Sequence, residues 1–168
     1  MLQTKRLIIR PLSLGELELY YTSPAKLANS IGFFDAETEQ DDELKQIIAD
    51  QFLPILRAGD SEYLFFTLWL IILKATNEVV ASLCFHSAPQ NGVVEVGYGT
   101  YAGYENNGYM TEALQALIQW AKQREDICRV TAEVIHGNNS STQVLIKNGF
   151  KLLCDHEQST IYAYDIFR

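Results

Sequence analysis

The sequence predicts a mixed α/β (α+β) fold: a mostly antiparallel sheet of about six to seven strands, flanked by helices, in one domain over residues 1–168. Three observations carry this. Residues 63–100 hold three apolar runs separated by short polar turns, the pattern of an antiparallel meander. The third run leads through a polar loop into a helical period and then an alternating strand, and such a strand–helix–strand unit needs a parallel neighbour reached by a right-handed crossover. Two final apolar runs lie close enough for a hairpin. No repeat or linker divides the chain, and 168 residues suffice to bury a substantial core.

Residues 6–12 (RLIIRPL) form a short apolar strand that Pro11 helps to end, because proline cannot donate to a ladder. Ser13 with Glu16 three residues on is a capping box, and Leu14, Leu17 and either Leu19 or Tyr21 give the following helix one apolar side. Ser23 and Pro24 break it. Residues 25–62 lack a clean period around Gly32, Phe33 and Phe34; they read as a loop, then a helix over 39–57 with Leu44, Ile47, Ile48 and Phe52 on neighbouring turns and Pro54 bending or ending it. Such a region either shapes an acceptor pocket or lies as a plain lid over the core. Residues 63–74 (YLFFTLWLIILK) are apolar on both faces and rich in aromatic and branched side chains, which suits a long central strand. Thr76 and Asn77 turn the chain into residues 79–85 (VVASLCF), and 89–92 turn it again into 93–100 (VVEVGYGT). Ala113, Leu114, Leu117, Ile118 and Ala121 are the buried stripe of a helix over 108–123, and residues 129–135 (RVTAEVI) alternate as a strand. Ser140 and Gln143 have capping-box spacing for a short helix ending at Asn148 and Gly149, after which residues 150–155 and 160–167 form the hairpin.

A hydrophobic content of 48% with 20% charged residues fits a folded soluble chain. The net charge of -8 and pI near 4.8 argue against a nucleic-acid partner, which needs a basic face. That balance either serves solubility or draws cationic partners such as amines. Cys84, Cys128 and Cys154 are odd in number, without a C-x-x-C pair, as in reduced cytosolic proteins. Neither they nor His86, His136 and His156 have metal-ligand spacing, so no metal is expected. The opening residues lack an apolar signal core, and the longest apolar run, 64–73, is short for a bilayer; the expectation is a cytoplasmic protein with no membrane contact.

Residues 93–117 are the most suggestive of function. A strand passes through a loop rich in Gly and Asn and opens a helix, whose first turn has unpaired N–H donors and a partial positive charge suited to an anion. Gly97, Gly99 and Ala102 spell G-x-G-x-x-A, but they lie late in a strand with no helix starting there and no repeated βαβ array, which argues against a dinucleotide-binding turn. The chain has neither G-x-x-x-x-G-K-[ST] nor G-x-S-x-G, so the P-loop and the hydrolase nucleophile elbow are both absent. By residues alone, 105–114 is either an anion site or an ordinary capped helix.

Residues 105–114 (ENNGYMTEAL) resemble the acetyl-CoA signature Q/R-x-x-G-x-G/A of the GNAT N-acetyltransferase superfamily. VEVGY before the loop, NNSSTQVLIKNGF over 138–150 and TKRLIIRPL over 4–12 resemble its ribosomal-protein N-terminal acetyltransferase branch. The stretches stand in the same order as in that branch and cover nearly the whole chain. The resemblance implies acetyl-CoA-dependent transfer of an acetyl group to a primary amine by direct attack in a ternary complex. The acceptor would be a protein N-terminus or a small amine such as a polyamine, amino acid or aminoglycoside, and the protein a monomer or homodimer.

For the site, the resemblance implies a sheet splayed between the fourth and fifth strands, 93–100 and 129–135, with the pantetheine arm on main-chain groups of Tyr98 and Thr100, whose side chains need not matter. Asn106, Asn107, Gly108, Tyr109, Met110 and Thr111 map to the diphosphate loop, where Gly108 admits the ligand and Thr111 adds a hydroxyl. Met110 stands where Gly or Ala is usual, a variant found in the branch. Glu105 stands where Gln or Arg is usual; its carboxylate weakens CoA binding if it faces the diphosphate and matters little if it turns to solvent. Glu95 aligns with the strand glutamate that acts as general base in several members, the alternative being a strand carboxylate facing solvent or pairing across the sheet. Leu145 replaces the tyrosine that many relatives use to protonate the thiolate. Ser141 matches the branch's serine and can hydrogen-bond the CoA sulfur, or else caps the helix, and Asn138 can hold the pantetheine. A GNAT-fold module that binds or senses CoA without catalysis is the other class of function left open.

Overall fold

The computed structural model describes residues 1–32, 42–59 and 62–167. Its strands are β1 Leu2–Gln3, β2 Leu7–Pro11, β3 Leu68–Leu73, β4 Val79–Phe85, β5 Val93–Thr100, β6 Arg129–Ile135, β7 Lys151–Asp155 and β8 Ser159–Asp165. They form one eight-stranded sheet in the order β1-β2-β3-β4-β5-β6-β8-β7. Every neighbouring pair is antiparallel except β5 and β6, which the crossover makes parallel. The short β1 extends the expected sheet by pairing Leu2 with Ile9.

The helices are α1 Leu14–Thr22, α2 Pro24–Ile31, α3 Asp42–Ile47, α4 Leu53–Arg57, α5 Tyr109–Lys122 and α6 Asn139–Lys147. Side chains alternate along a strand, so β3 and β4 feed both faces of the sheet. Trp69, Ile71, Leu83 and Phe85 join one core under α5, whose Met110, Ala113, Leu114, Leu117, Ile118 and Ala121 are buried. Leu68, Leu70, Ile72 and Cys84 join the other, with Leu17, Tyr20, Leu27, Ile48 and Phe52 from the N-terminal helices. The capping box of Ser13 and Glu16 is present, and Glu16 also pairs with Arg10 at 2.5 Å.

Three elements differ from expectation. Residues 24–31, read as loop, form α2, with Pro24 at its first turn and Gly32 left-handed at its C-cap (φ 72°). Proline at the start and glycine at the end are start and stop signals as well as breakers. The helix expected over 39–57 runs as α3, a π-helical turn Ile48–Phe52 and α4. The register change sets Pro54 near the start of α4, where a missing N–H matters least. Residues 39–41, like Phe33 and Phe34, lie outside the described residues.

The strand expected from residue 63 begins only at Leu68, after a 3-10 turn Tyr63–Phe65. Tertiary packing outweighs β-propensity here. Phe65 is fully buried, with ring centroids 5.1 Å from Phe85 and 5.9 Å from Trp120, and the Trp69 indole donates back to the Leu64 carbonyl at 2.9 Å.

Candidate active site

Among the described residues β5 and β6 pair only at Val93↔Arg129, Val94↔Val130 and Glu95↔Thr131. Beyond that point β5 runs on to Thr100 beside β4, and β6 to Ile135 beside β8, so the two strands part after Glu95. The β4–β5 ladder decides which backbone groups face the gap. His86 N–H donates to the Glu95 carbonyl and Tyr101 N–H to the Val80 carbonyl, each at 3.0 Å. Antiparallel pairing alternates in direction, so Glu95, Gly97 and Gly99 bond back to β4. Val96, Tyr98 and Thr100 therefore turn their backbone N–H and C=O toward the gap, and Tyr98 and Thr100 are the two residues assigned to the pantetheine arm.

The loop from β5 delivers the chain to α5. Gly108 is its N-cap, left-handed at φ 74° with no side-chain cap, a conformation that disfavours any residue with a Cβ. Tyr109, Met110 and Thr111 form the first turn of α5, where amides lack intrahelical acceptors. The Met110 side chain is buried in the core, so it offers a ligand only main chain. Asn106 is left-handed (φ 62°), and the Asn107 amide donates to the carbonyls of Tyr104 and Glu105 at 3.2 and 3.0 Å.

Glu105 is exposed to solvent. Its carboxylate closes its own turn by accepting the Gly103 N–H at 2.7 Å. A cation that the sequence did not mark lies beside the same loop. Arg6 donates to the Asn107 carbonyl at 3.0 Å and to Glu112 at 2.6 Å, with its guanidinium 4.8 Å from the Tyr109 ring centre. A cleft of about 570 Å³ adjoins it, lined in part by Lys5, Gly108, Thr111 and Lys147.

Across the gap the start of α6 supplies Asn138 and Ser141. Asn138 is the N-cap, accepting the Ser141 N–H at 3.0 Å, so the expected box of Ser140 and Gln143 does not form; Ser140 lies inside the helix. With Asn138 capping, the Ser141 hydroxyl is released for another partner. It donates to the Tyr98 hydroxyl at 2.9 Å, and that hydroxyl donates to the Ser141 carbonyl at 3.2 Å. Burial pushes the Tyr98 phenol up to about 12, against the opposing hydrogen bond from Ser141. The Tyr98 side chain therefore ties β5 to α6. Leu145 is fully buried in the core.

Glu95 lies on the sheet face opposite α5, half-buried, with Oε1 3.1 Å from Nδ1 of His86, the residue just beyond β4. The hydrogen bond to Glu95 raises His86 above the usual imidazole range against partial burial, while the same bond holds Glu95 below the usual carboxylate range. Glu133 of β6 and Glu43 of α3 add to the negative potential at the ring. Sequence reasoning missed His86; only the β4–β5 register, which sets it opposite Glu95, could have found it. Among the described residues no group of His, Cys, Asp or Glu is arranged to hold a metal ion, and no helix is long and apolar enough to cross a membrane.

Known proteins resemble this chain in sequence and in fold. The chain is 40% identical over 103 residues to an uncharacterized N-acetyltransferase, YjdG, of Bacillus subtilis, a match covering 61% of this chain and 60% of that relative. It is 28% identical over 175 residues to an uncharacterized N-acetyltransferase, p20, of Bacillus licheniformis, covering 99% of this chain and 92% of the relative. A match to the ribosomal-protein-serine acetyltransferase of Escherichia coli, 31% identical, covers 49% of this chain and 47% of that one. In structure, the ribosomal alpha-N-protein acetyltransferase RimL in complex with coenzyme A superposes with a TM-score of 0.67 over 97% of this chain and 96% of its own, at 19% identity, a likeness of fold. Residues 6–151 match the acetyltransferase (GNAT) domain family, and the chain belongs to that family.

Proposed function

We propose that this chain is an acetyl-CoA-dependent N-acetyltransferase that moves an acetyl group to a primary amine, a protein N-terminus or a small amine, by direct attack in a ternary complex. The observation that carries the proposal is the parting of β5 from β6 after Glu95, with backbone of Tyr98 and Thr100 turned into the gap and the α5 N-terminus at the end of the loop that follows. Amides of residues 106–111, with Gly108 admitting the ligand, would hold the diphosphate. Arg6 and Lys5 beside them supply positive charge that Glu105 does not. Tyr98 and Thr100 would hold the pantetheine arm, with Asn138 at its far side, and an amide of that row would stabilise the oxyanion developing on the thioester carbonyl.

An amine is mostly protonated at neutral pH, so attack needs a group to take its proton. The pair of Glu95 and His86, on the face opposite α5, would do this, directly or through water. Ser141 would turn its one O–H from the Tyr98 hydroxyl to the departing sulfur; a thiolate leaves readily, so a weak donor suffices where Leu145 replaces a tyrosine. The relatives named for ribosomal-protein acetylation favour a protein N-terminus, and the acidic surroundings of His86 favour any cationic amine. Three free cysteines suit a reducing compartment, the cytoplasm.

The test is thiol release from acetyl-CoA against a panel of a peptide with a free N-terminal serine, spermidine, free amino acids and an aminoglycoside. Transfer to at least one amine is expected. Tight CoA binding with no turnover on any of them would replace the enzyme by a CoA-binding module.

A further inference from the structure

Within the acetyltransferase reading, we propose that the atom receiving the acceptor's proton is Nε2 of His86, and that Glu95 acts one step back, holding the ring through Nδ1. Three geometric facts converge on this. Glu95 Oε1 lies 3.1 Å from Nδ1, and a carboxylate only accepts, so the neutral ring keeps its hydrogen on Nδ1 and its lone pair on Nε2. Nε2 then lies over β5: it is 2.9 Å from where a Cβ on Gly97 would stand, with Cys84 Sγ 3.9 Å from the same point. Gly97 sits between Val96 and Tyr98, whose backbone faces the gap, so the ring tip occupies space that any side chain at 97 would fill. Finally, the two side chains remain 47% and 36% exposed, open to an acceptor entering from the face opposite α5.

The chemistry favours the ring over the carboxylate. A base works best when its pKa lies near the operating pH. Glu95 is held below the usual carboxylate range by its hydrogen bond to His86, far below neutral pH, whereas that bond raises His86 above the usual imidazole range. Among the described residues, Glu95 from β5 bonds the ring, Glu133 from β6 and Glu43 from α3 act on it electrostatically, and Cys84 Sγ from β4 lies near the same point over Gly97 as Nε2. The carboxylates draw a cationic amine toward it. Cys84 is kept a neutral thiol, its pKa pushed up to about 12 by burial. In the transfer, the ammonium nitrogen gives one proton to Nε2, which frees its lone pair to bond the acetyl carbon, and its second proton leaves for the departing thiolate as the amide forms. The C–S bond breaks with its electron pair on sulfur, and the imidazolium returns its proton to solvent.

The experiment compares the parent, His86→Gln and Glu95→Gln in acetyl transfer from acetyl-CoA to the serine peptide or spermidine, whichever the parent turns over, across pH, with CoA affinity measured by calorimetry. His86→Gln should lower kcat by about 100-fold or more and erase the acid limb of the pH profile, with CoA affinity unchanged. Glu95→Gln should lower kcat by about tenfold and move the acid limb to lower pH, because the carboxylate that raises the ring is gone. NMR titration of the His86 ring should show a downward move in Glu95→Gln that matches the move of the acid limb, a coincidence that follows only when the titration of the ring governs the rate. A fully active His86→Gln, or a Glu95→Gln that itself erases the acid limb, overturns the proposal and makes Glu95 the base. A parent that acetylates no amine overturns the acetyltransferase reading and this inference with it.

Discussion

Gly97→Ala adds one methyl group to β5 and tests the site without removing a polar atom. The new Cβ would stand 2.9 Å from His86 Nε2, where ordinary contact begins near 3.4 Å, so one of the two must yield by about half an ångström. Gly97 is held in the β4–β5 ladder opposite Cys84, whereas the ring is the half-exposed end of a side chain, so the ring moves. Its bond to Glu95, at 3.1 Å, is already near the long end of the hydrogen-bond range and is lost or bent. The fold loses little: relief of chain entropy on replacing glycine is worth about 0.4–1 kcal/mol, and melting should stay within a few degrees of the parent. Misplacing a reacting group by 1 Å removes roughly 100-fold of rate, so kcat should fall by about 10- to 100-fold with CoA affinity unchanged. Steady-state acetylation, CoA calorimetry and the His86 ring titration read the three parts separately. A Gly97→Ala variant with parental kcat and an unmoved ring titration would refute the reasoning.

At Gly108 the same substitution acts through the backbone. Its Cβ would meet Arg6 Nη2 no closer than 3.7 Å, yet φ 74° penalises any Cβ by about 1–2 kcal/mol, so Gly108→Ala should lower Tm by several degrees and weaken CoA binding, read by calorimetry. Tyr98→Phe leaves the Ser141 hydroxyl without its acceptor and should destabilise by about 1 kcal/mol in a denaturant titration, lowering kcat more than CoA affinity. Glu105→Gln keeps an acceptor for the Gly103 amide while removing a charge beside the loop proposed to hold the diphosphate; CoA should bind about two- to fivefold more tightly, with the gain shrinking in high salt. Glu112 is opposed by burial, but the Thr4 hydroxyl and the Arg6 amide and guanidinium hold its carboxyl below the ordinary 4.5. Its stabilisation is therefore complete above 4.5 and lost as pH falls through the lowered value, so Glu112→Gln should cost about 1 kcal/mol at pH 7 and progressively less in acid, by thermal melting.

Periodic and locally capped elements were legible in the chain. The stripe of α5, the alternation of β6 and the box of Ser13 and Glu16 each depend on neighbours within one turn or one pleat, which sequence spacing encodes. So does Gly108, where only glycine suits the turn. The misread elements are those where distant packing decides. Residues 63–65 have strand composition, yet the buried Phe65 ring docks on Phe85 and Trp120 and curls them into a turn. Ser140 and Ser141 offered two equivalent caps, and Asn138 took that role because it stands at the first position whose side chain reaches the Ser141 amide.

The sequence by itself determined the family, most of the order of elements, the glycine-bearing loop that opens α5 and the strand that bears Glu95, since each is written in a contiguous stretch. Tertiary structure alone decided what those residues touch. Arg6 reaches the loop from 101 residues away, Tyr98 meets Ser141 across a gap of 43, and Glu95 meets His86 only through the β4–β5 register. Charge and hydrogen bonding act through space over a few ångströms, and the spacing of residues along a chain does not report those distances until the sheet is paired.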